Sequence, residues 1–163
     1  MTISVRPLES TDGMKVLAIY EEALKGPHAT FETNVPTWSE WGKLHLPAHR
    51  FVADEDGRIL GWAALSRVSE RREYAGVVES YTFVRADSRR IGIGTMLLSK
   101  LIAATESQGL WTIQAHVFPE NEAALGLHHK LGFELVGTRR RVGRHRGAWR
   151  DILLLERRSP AVG

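Results

Sequence analysis

Apolar positions recur first at the spacing of a helix and then at that of strands, and these changes of period divide the chain into elements. Residues 3–6 alternate and stop at Pro7, which predicts a short strand. Val16, Leu17, Ile19, Tyr20, Ala23 and Leu24 follow at helical spacing, with Asp12 placed to cap the helix through its carboxylate and Gly26-Pro27 to end it. Thr37 is expected to cap a second, short helix over 38–44. From His49 the period changes, and residues 50–53 and 59–65 flank Glu55-Asp56-Gly57-Arg58, a turn of hairpin composition. Residues 77–84 are β-branched and aromatic, as in a central strand. A loop over 85–92 leads into a helix over 94–108, whose stripe is Met96, Leu97, Leu101, Ile102 and Ala104 and whose end is Gly109. Residues 111–117 read as a strand, 119–131 as a helix broken by Gly132-Phe133, and 134–142 and 148–156 as two closing strands. The order β-α-α-β-β-β-α-β-α-β-β predicts an α/β domain, a mixed sheet with helices on both faces.

Composition adds bounds to this picture. The 163 residues are 43% apolar and 25% charged, which suits one folded domain spanning 1–163, with its core over about 3–156 and a short tail. No apolar run approaches the roughly 20 residues that cross a bilayer, so no membrane partner is expected. The first residues lack the layout of a secretion signal, and a cytoplasmic protein is the expectation. Zero cysteines exclude disulfides, thiolate metal sites and a cysteine nucleophile. The net charge of +3 gathers in arginine clusters at 71–72, 89–90, 139–141 and 144–150. Most read as solvated faces. A basic nucleic-acid-binding module stays open as an alternative, although no motif or aromatic stacking pattern accompanies the arginines.

Arg89-Arg90 stand apart because of where they sit. The stretch from Val84 to Thr95 is the end of a strand, a loop with Arg89, Arg90, Ile91, Gly92, Ile93 and Gly94, and then a helix start. Free amides at a helix N-terminus attract anions, glycines let backbone approach phosphates, and an arginine adds charge. The loop is not a Walker motif, since no Gly-Lys-Ser/Thr triplet occurs, nor a Rossmann fingerprint, whose third glycine would stand where Leu97 is.

Arg89-x-x-Gly92-x-Gly94 after a strand resembles the acetyl-CoA pyrophosphate loop of the GNAT N-acetyltransferase superfamily. Asn121-Glu122-Ala123-Ala124 with Leu131-Gly132-Phe133 resembles a second signature of that superfamily, in which the Asn contacts the pantetheine or phosphate region. The likeness extends over nearly the whole chain. It narrows to the phosphinothricin acetyltransferase type through Ala18-Ile19-Tyr20-x-x-Ala23, Ala29-Thr30-Phe31-Glu32, Val78-Glu79 and Val142-Gly143 to Gly147-x-Trp149-x-Asp151. Ala75, after Tyr74, departs from the arginine common in that type, and His128 stands where many members carry a tyrosine proton donor. The resemblance implies a mostly antiparallel sheet of about seven strands, acetyl-CoA as cosubstrate, a small amine-bearing acceptor, no metal and a homodimer. The implied acceptor is an amino-acid analogue such as phosphinothricin, arsinothricin or methionine sulfoximine or sulfone. A polyamine, an aminoglycoside or a protein N-terminus remains the alternative within the superfamily.

Acyl transfer to an ammonium needs a base, a stabilised oxyanion and a proton for the thiolate. Glu79 is the candidate base, expected to have a pKa raised by burial in an apolar strand. His128 is the candidate acid, or a group positioning the thiolate. His128-His129 do not form a metal pair, because adjacent helical positions point about 100° apart. Thr82, Phe83 and Val84 offer backbone to the cofactor, together with Arg89, Arg90, Ile91, Gly92, Ile93, Gly94, Thr95 and Asn121. Phe31, Glu32, Arg71, Arg72, Tyr74, Ser80 and Tyr81 are the candidate acceptor residues. Trp149 is expected in the core or at an interface.

Overall fold

The computed structural model describes residues 2–163. Seven strands form one sheet in the spatial order β1-β2-β3-β4-β5-β7-β6. They are β1 (Ile3–Pro7), β2 (Phe51–Glu55), β3 (Arg58–Arg67), β4 (Val77–Val84), β5 (Thr112–Val117), β6 (Glu134–His145) and β7 (Ala148–Arg158). The helices are α1 (Gly13–Lys25), α2 (Trp38–Leu44), α3 (Ile93–Ser107) and α4 (Glu122–Lys130). The element order and the mixed α/β class are those expected from the apolar pattern. All neighbouring strands run antiparallel except β4 and β5, which are parallel and joined through α3, as a parallel pair requires a crossover.

The centre of the sheet is buried on both faces, which explains why β3 reads as a nearly unbroken apolar run. Ile59, Trp62 and Ala64 face α1 and α2, against Val16, Ile19, Tyr20 and Trp41. Leu60, Ala63 and Leu65 face α3, against Leu97, Leu98 and Leu101. Leu60 and Ala63 differ by three positions yet share a face, because a bulge interrupts the alternation. Ala53 pairs with Gly61 and Asp54 with Ile59, so Leu60 is the extra residue. Gly61 is required beside it, since a Cβ there would lie 2.8 Å from the Phe83 carbonyl oxygen. The β2–β3 and β6–β7 hairpins each close on two residues of positive φ, Asp56-Gly57 (51° and 88°) and Arg146-Gly147 (52° and 81°), matching the twist of their strands.

Some expectations shift. Thr37 and Glu40 cap α2 reciprocally, Thr37 accepting from the Glu40 amide at 3.1 Å and Glu40 from the Thr37 amide at 2.9 Å. Asp12 does not cap α1 with its side chain. Its carboxylate accepts from both terminal nitrogens of Arg6 at 2.9 Å and from the Glu9 amide at 2.8 Å. Arg6 donates its Nε to Asp54 as well, so one guanidinium joins β1, the start of α1 and β2. An ion pair reaching across the sheet edge outcompetes a local cap, and sequence spacing does not show it. α3 starts one residue early, α4 is trimmed to nine residues, and β6 continues past Val142 to His145. Trp149 is not buried; it lies 53% exposed beneath the Arg144 guanidinium.

The β4–β5 ladder is short. Val77 pairs with Thr112, Val78 with Ile113 and Glu79 with Gln114, and there the pairing stops, although both strands run on. Residues 80–84 keep their antiparallel partners on β3 but have none on β5. The sheet therefore opens at Glu79.

The Asp12 carboxyl is held below the usual carboxylate range, chiefly by hydrogen bonds from Arg6 against the opposing effect of burial. A depressed folded-state pKa stabilises fully above the unfolded value near 4, and that contribution is lost as pH falls toward the folded value. Asp12→Asn should cost about 2 kcal/mol at neutral pH. Denaturant titrations at a series of pH values should show the gap to wild type narrowing as pH drops from about 5 toward 3.

Candidate active site

A cavity of about 940 Å³ lies where β4 and β5 part. Alternation along the strands gives it two chemically different walls. Register pairs Ser80 with Leu65 and Thr82 with Ala63, on the α3 face, and Tyr81 with Ala64 and Phe83 with Trp62, on the α1 face. Glu79 shares the face of Tyr81.

On that α1 face Glu79 carries the only strand carboxylate in the cavity wall, with its side chain 17% exposed. Gln114 donates Nε2 to Glu79 Oε1 at 3.0 Å, and Nδ1 of His116 lies 3.0 Å from the same oxygen. Gln114 stands opposite Glu79 in the parallel ladder, and His116, two residues on, projects from the same face. Burial pushes the Glu79 pKa up, but the contacts with His116 and Gln114 outweigh it, and the net direction is down. That corrects the expectation of a raised value: the partners arrive from β5, out of sight of the local apolar context. Tyr81 shares this wall, its hydroxyl 3.0 Å from Ser66 Oγ and its pKa pushed up to about 12 by burial and then by the Glu79 charge. His45 closes the far side, its Nδ1 2.8 Å from the Trp41 carbonyl oxygen and its pKa lowered by burial.

The α3 face is suited to a different partner. Ser80 Oγ and Thr82 Oγ1 are buried in the cavity wall with no hydrogen-bond partner in the protein, beside the unpaired β4 edge. Buried hydroxyls and backbone groups without partners carry a desolvation penalty that an extended ligand with amide groups would remove. At the mouth, Gly92 caps α3 in the left-handed region at φ 91° and Arg89 lines the cavity. The first helical bond runs from the Met96 amide to the Gly92 carbonyl, so the amides of Ile93, Gly94 and Thr95 have no partner within the helix. This arrangement fits a pantetheine arm along β4 and a pyrophosphate at α3.

Of the expected residues, the cavity brings together Phe31, Glu32, Glu79, Ser80, Tyr81, Thr82, Phe83, Val84, Arg89, Asn121 and His128. Arg90 is turned away from it and exposed, with φ 66°, and Ile91 is 60% exposed. The Ile93 side chain is in the core, leaving only its amide for a ligand. Arg71, Arg72 and Tyr74 do not line the cavity; they lie on an exposed turn where Arg71 pairs with Glu73 and covers the Tyr74 ring. Asn121 is already engaged within the protein, accepting from the Ala124 amide and donating to the His28 carbonyl, both at 3.1 Å.

His128 is buried, edge-on to Phe133, with Nδ1 2.7 Å from the Ala124 carbonyl oxygen. The Nδ1–H tautomer leaves Nε2 as a lone pair, and burial lowers the pKa. With Nδ1 engaged by the Ala124 carbonyl, Nε2 is the ring atom left for a ligand.

Sequence reasoning missed Gln114, His116, Arg139 and Arg150. Gln114 and His116 had a signal in their period of two along β5, but only the parallel register sets them against Glu79. Arg139 joins the α1 face by register: His116 pairs with Leu154, Leu154 with Gly137, and Arg139 lies two residues beyond. It lines the cavity, and its side chain forms no ion pair or hydrogen bond among the described residues. Arg150 acts from behind the wall. It stacks on Phe118, donates to the Pro27 carbonyl and Glu120, and contacts ring nitrogens of His28 and His145. Residues 26–34, including Phe31 packed 4.7 Å from Phe118, are thereby held as a roof. Among the described residues no group of three or more His, Cys, Asp and Glu is placed to hold a metal, and no helix is long and apolar enough to cross a membrane.

Residues 15–133 match the sequence profile of the acetyltransferase (GNAT) family. The chain is 32% identical over 162 residues to an L-methionine sulfoximine/L-methionine sulfone acetyltransferase of Pseudomonas aeruginosa, covering 96% of this chain and 94% of that one. It is 29% identical to a phosphinothricin N-acetyltransferase of Streptomyces viridochromogenes, covering 92% and 84%. Among solved structures, a phosphinothricin acetyltransferase from Sinorhizobium meliloti in complex with acetyl-CoA superposes with a TM-score of 0.87 at 28% identity, over 97% of this chain and 89% of that one.

Thr82→Val removes a buried hydroxyl without a protein partner at nearly constant volume. Chemical denaturation of the ligand-free protein should show a gain of about 1 kcal/mol, where a Thr82 engaged within the protein would show a loss.

Proposed function

The chain belongs to the acetyltransferase (GNAT) family, and we propose that it transfers the acetyl group of acetyl-CoA to the α-amino group of a small amino-acid analogue with a second polar or anionic group. Methionine sulfoximine, methionine sulfone, phosphinothricin and arsinothricin are of this class. The observation that carries the reading is the position of Glu79. Its carboxylate stands at the last paired residue before the sheet opens, on the wall opposite the orphan hydroxyls of Ser80 and Thr82. An acyl donor lying along β4 and an amine drawn to Glu79 would meet there. The names of the relatives support the acceptor class.

In this proposal the amides at the start of α3 and Arg89 hold the pyrophosphate, and the free edge of β4 pairs with the pantetheine arm. A backbone N–H of residues 82–84 polarises the thioester carbonyl. His128 accepts at Nε2 and orients its neighbours. On the acceptor wall, Glu79 is ionised at neutral pH, attracts the ammonium, and is the carboxylate on which removal of the amine's proton depends. Tyr20, Phe31 and Tyr81 shape the pocket, and Arg139 takes over the acidic group of the acceptor, the part first given to Arg71 and Arg72. A homodimer and a cytoplasmic site of action belong to the same proposal. Exposed Leu135, Val136, Val142 and Trp149 on the β6–β7 edge supply an apolar surface for a second copy.

CoA release should be observed with the four analogues and not with spermidine, an aminoglycoside or a peptide; turnover confined to the last three would overturn the acceptor class. Glu79→Gln should lower kcat by about 10²-fold while keeping the thermal shift on acetyl-CoA. Arg139→Gln should raise KM for the acceptor about tenfold and leave KM for acetyl-CoA unchanged. An equal rise in both would assign Arg139 to the cofactor.

A further inference from the structure

Glu79 is engaged by two side chains from β5, and one of them faces the cavity. His116 projects from β5 into the cavity with Nδ1 3.0 Å from Glu79 Oε1 and its side chain 29% exposed. A carboxylate oxygen at that distance favours hydrogen on Nδ1, because two lone pairs would repel. The neutral ring is then the Nδ1–H tautomer, and Nε2 presents its lone pair with no partner among the described residues. Gln114 donates to the same carboxylate oxygen, so two contacts fix the orientation of Glu79. Two polar residues of β5, Gln114 and His116, thus converge on one carboxylate.

We propose that His116 is the catalytic base of this enzyme, taking the amine's proton at Nε2, while Glu79 orients the ring and balances the charge it gains. The inference rests on the acetyltransferase reading and goes beyond it by assigning the proton to an atom. The ammonium gives one proton to Nε2, leaving a neutral amine and an imidazolium paired with Glu79. The nitrogen pair then forms the N–C bond and the carbonyl π pair moves to oxygen. On collapse the C–S pair leaves with sulfur, and the second proton of the now cationic nitrogen neutralises the thiolate. The amide, CoA thiol and one proton on His116 are the products, and that proton returns to solvent. Among the groups lining the same cavity, Tyr81 keeps its proton, and His45 and His128 have their Nδ1 turned to helix carbonyls.

Two arms test this. In the first, wild-type protein labelled with ¹⁵N-histidine is observed by long-range ¹H–¹⁵N NMR above the titration of its rings. The expected result is an Nδ1–H tautomer for His116 that is lost or mixed in Glu79→Gln; an Nε2–H tautomer in the wild type overturns the proposal. In the second, His116→Asn, His116→Gln and His116→Ala are compared on whichever amine the wild type acetylates best. All should keep the acetyl-CoA thermal shift and its KM, lose about 10²-fold in kcat, and in the alanine variant recover rate with added imidazole. Unchanged kcat, or loss without imidazole rescue in a variant that still binds acetyl-CoA, overturns it. If the amino-acid analogues fail and another amine turns over, the acceptor class falls while His116 is still judged on that amine. If no amine turns over, the NMR arm decides alone.

Discussion

Everything in this molecule depends on a ladder that ends early. Parallel strands β4 and β5 pair over three residues and then separate. Backbone amides and carbonyls left at such an edge demand partners, and the protein supplies none to the α3-side hydroxyls of Ser80 and Thr82. The opening therefore costs stability in the free protein and is offset when an extended ligand completes the strand. In the proposed reaction the same feature sets the meeting point, because the last paired residue is Glu79 and the gap beyond it is open to both faces.

The division into faces explains the chemistry of each wall. Strand alternation sends the hydroxyls of Ser80 and Thr82 toward α3, and α4 adds the buried His128, a wall suited to a thioester and its long neutral arm. The other face receives Glu79, His116, Tyr81 and Arg139, charged or protonic groups suited to an ammonium and its acidic neighbour. In the proposed reaction the alternation along β4 thus separates two substrates by parity. The bulge at Leu60 extends that order into the core, by letting β3 alternate correctly against both helical layers despite its uninterrupted apolar sequence.

Much of this was legible in the residues. The periods of the apolar positions gave every helix and strand in order, because amphipathic spacing is a local property. Glu79 stood out as a carboxylate in an apolar strand, and Arg89 with Gly92 as an anion-binding helix start. What could not be read was set by pairing between distant segments. The partners of Glu79 come from β5, and Arg139 reaches the pocket only through two further register steps. Asp12 looks like a helix cap until Arg6 is brought beside it from β1. Arg71 and Arg72, conspicuous as a pair, sit on a turn that the fold leaves outside the cavity.

Arg150 carries a consequence for how such a pocket diversifies. The roof over the acceptor wall, residues 26–34, is fastened to a strand more than a hundred positions further along the chain, through one guanidinium and two imidazoles. Loop and strand are in that sense a single inherited unit split across the gene. Grafting the roof alone onto a relative would carry over the side chains that touch a new acceptor but not the fastening that keeps them in place. In the proposed pocket, a change of acceptor would therefore call for exchanges at Arg150 and its partners together with the roof, rather than of the loop alone.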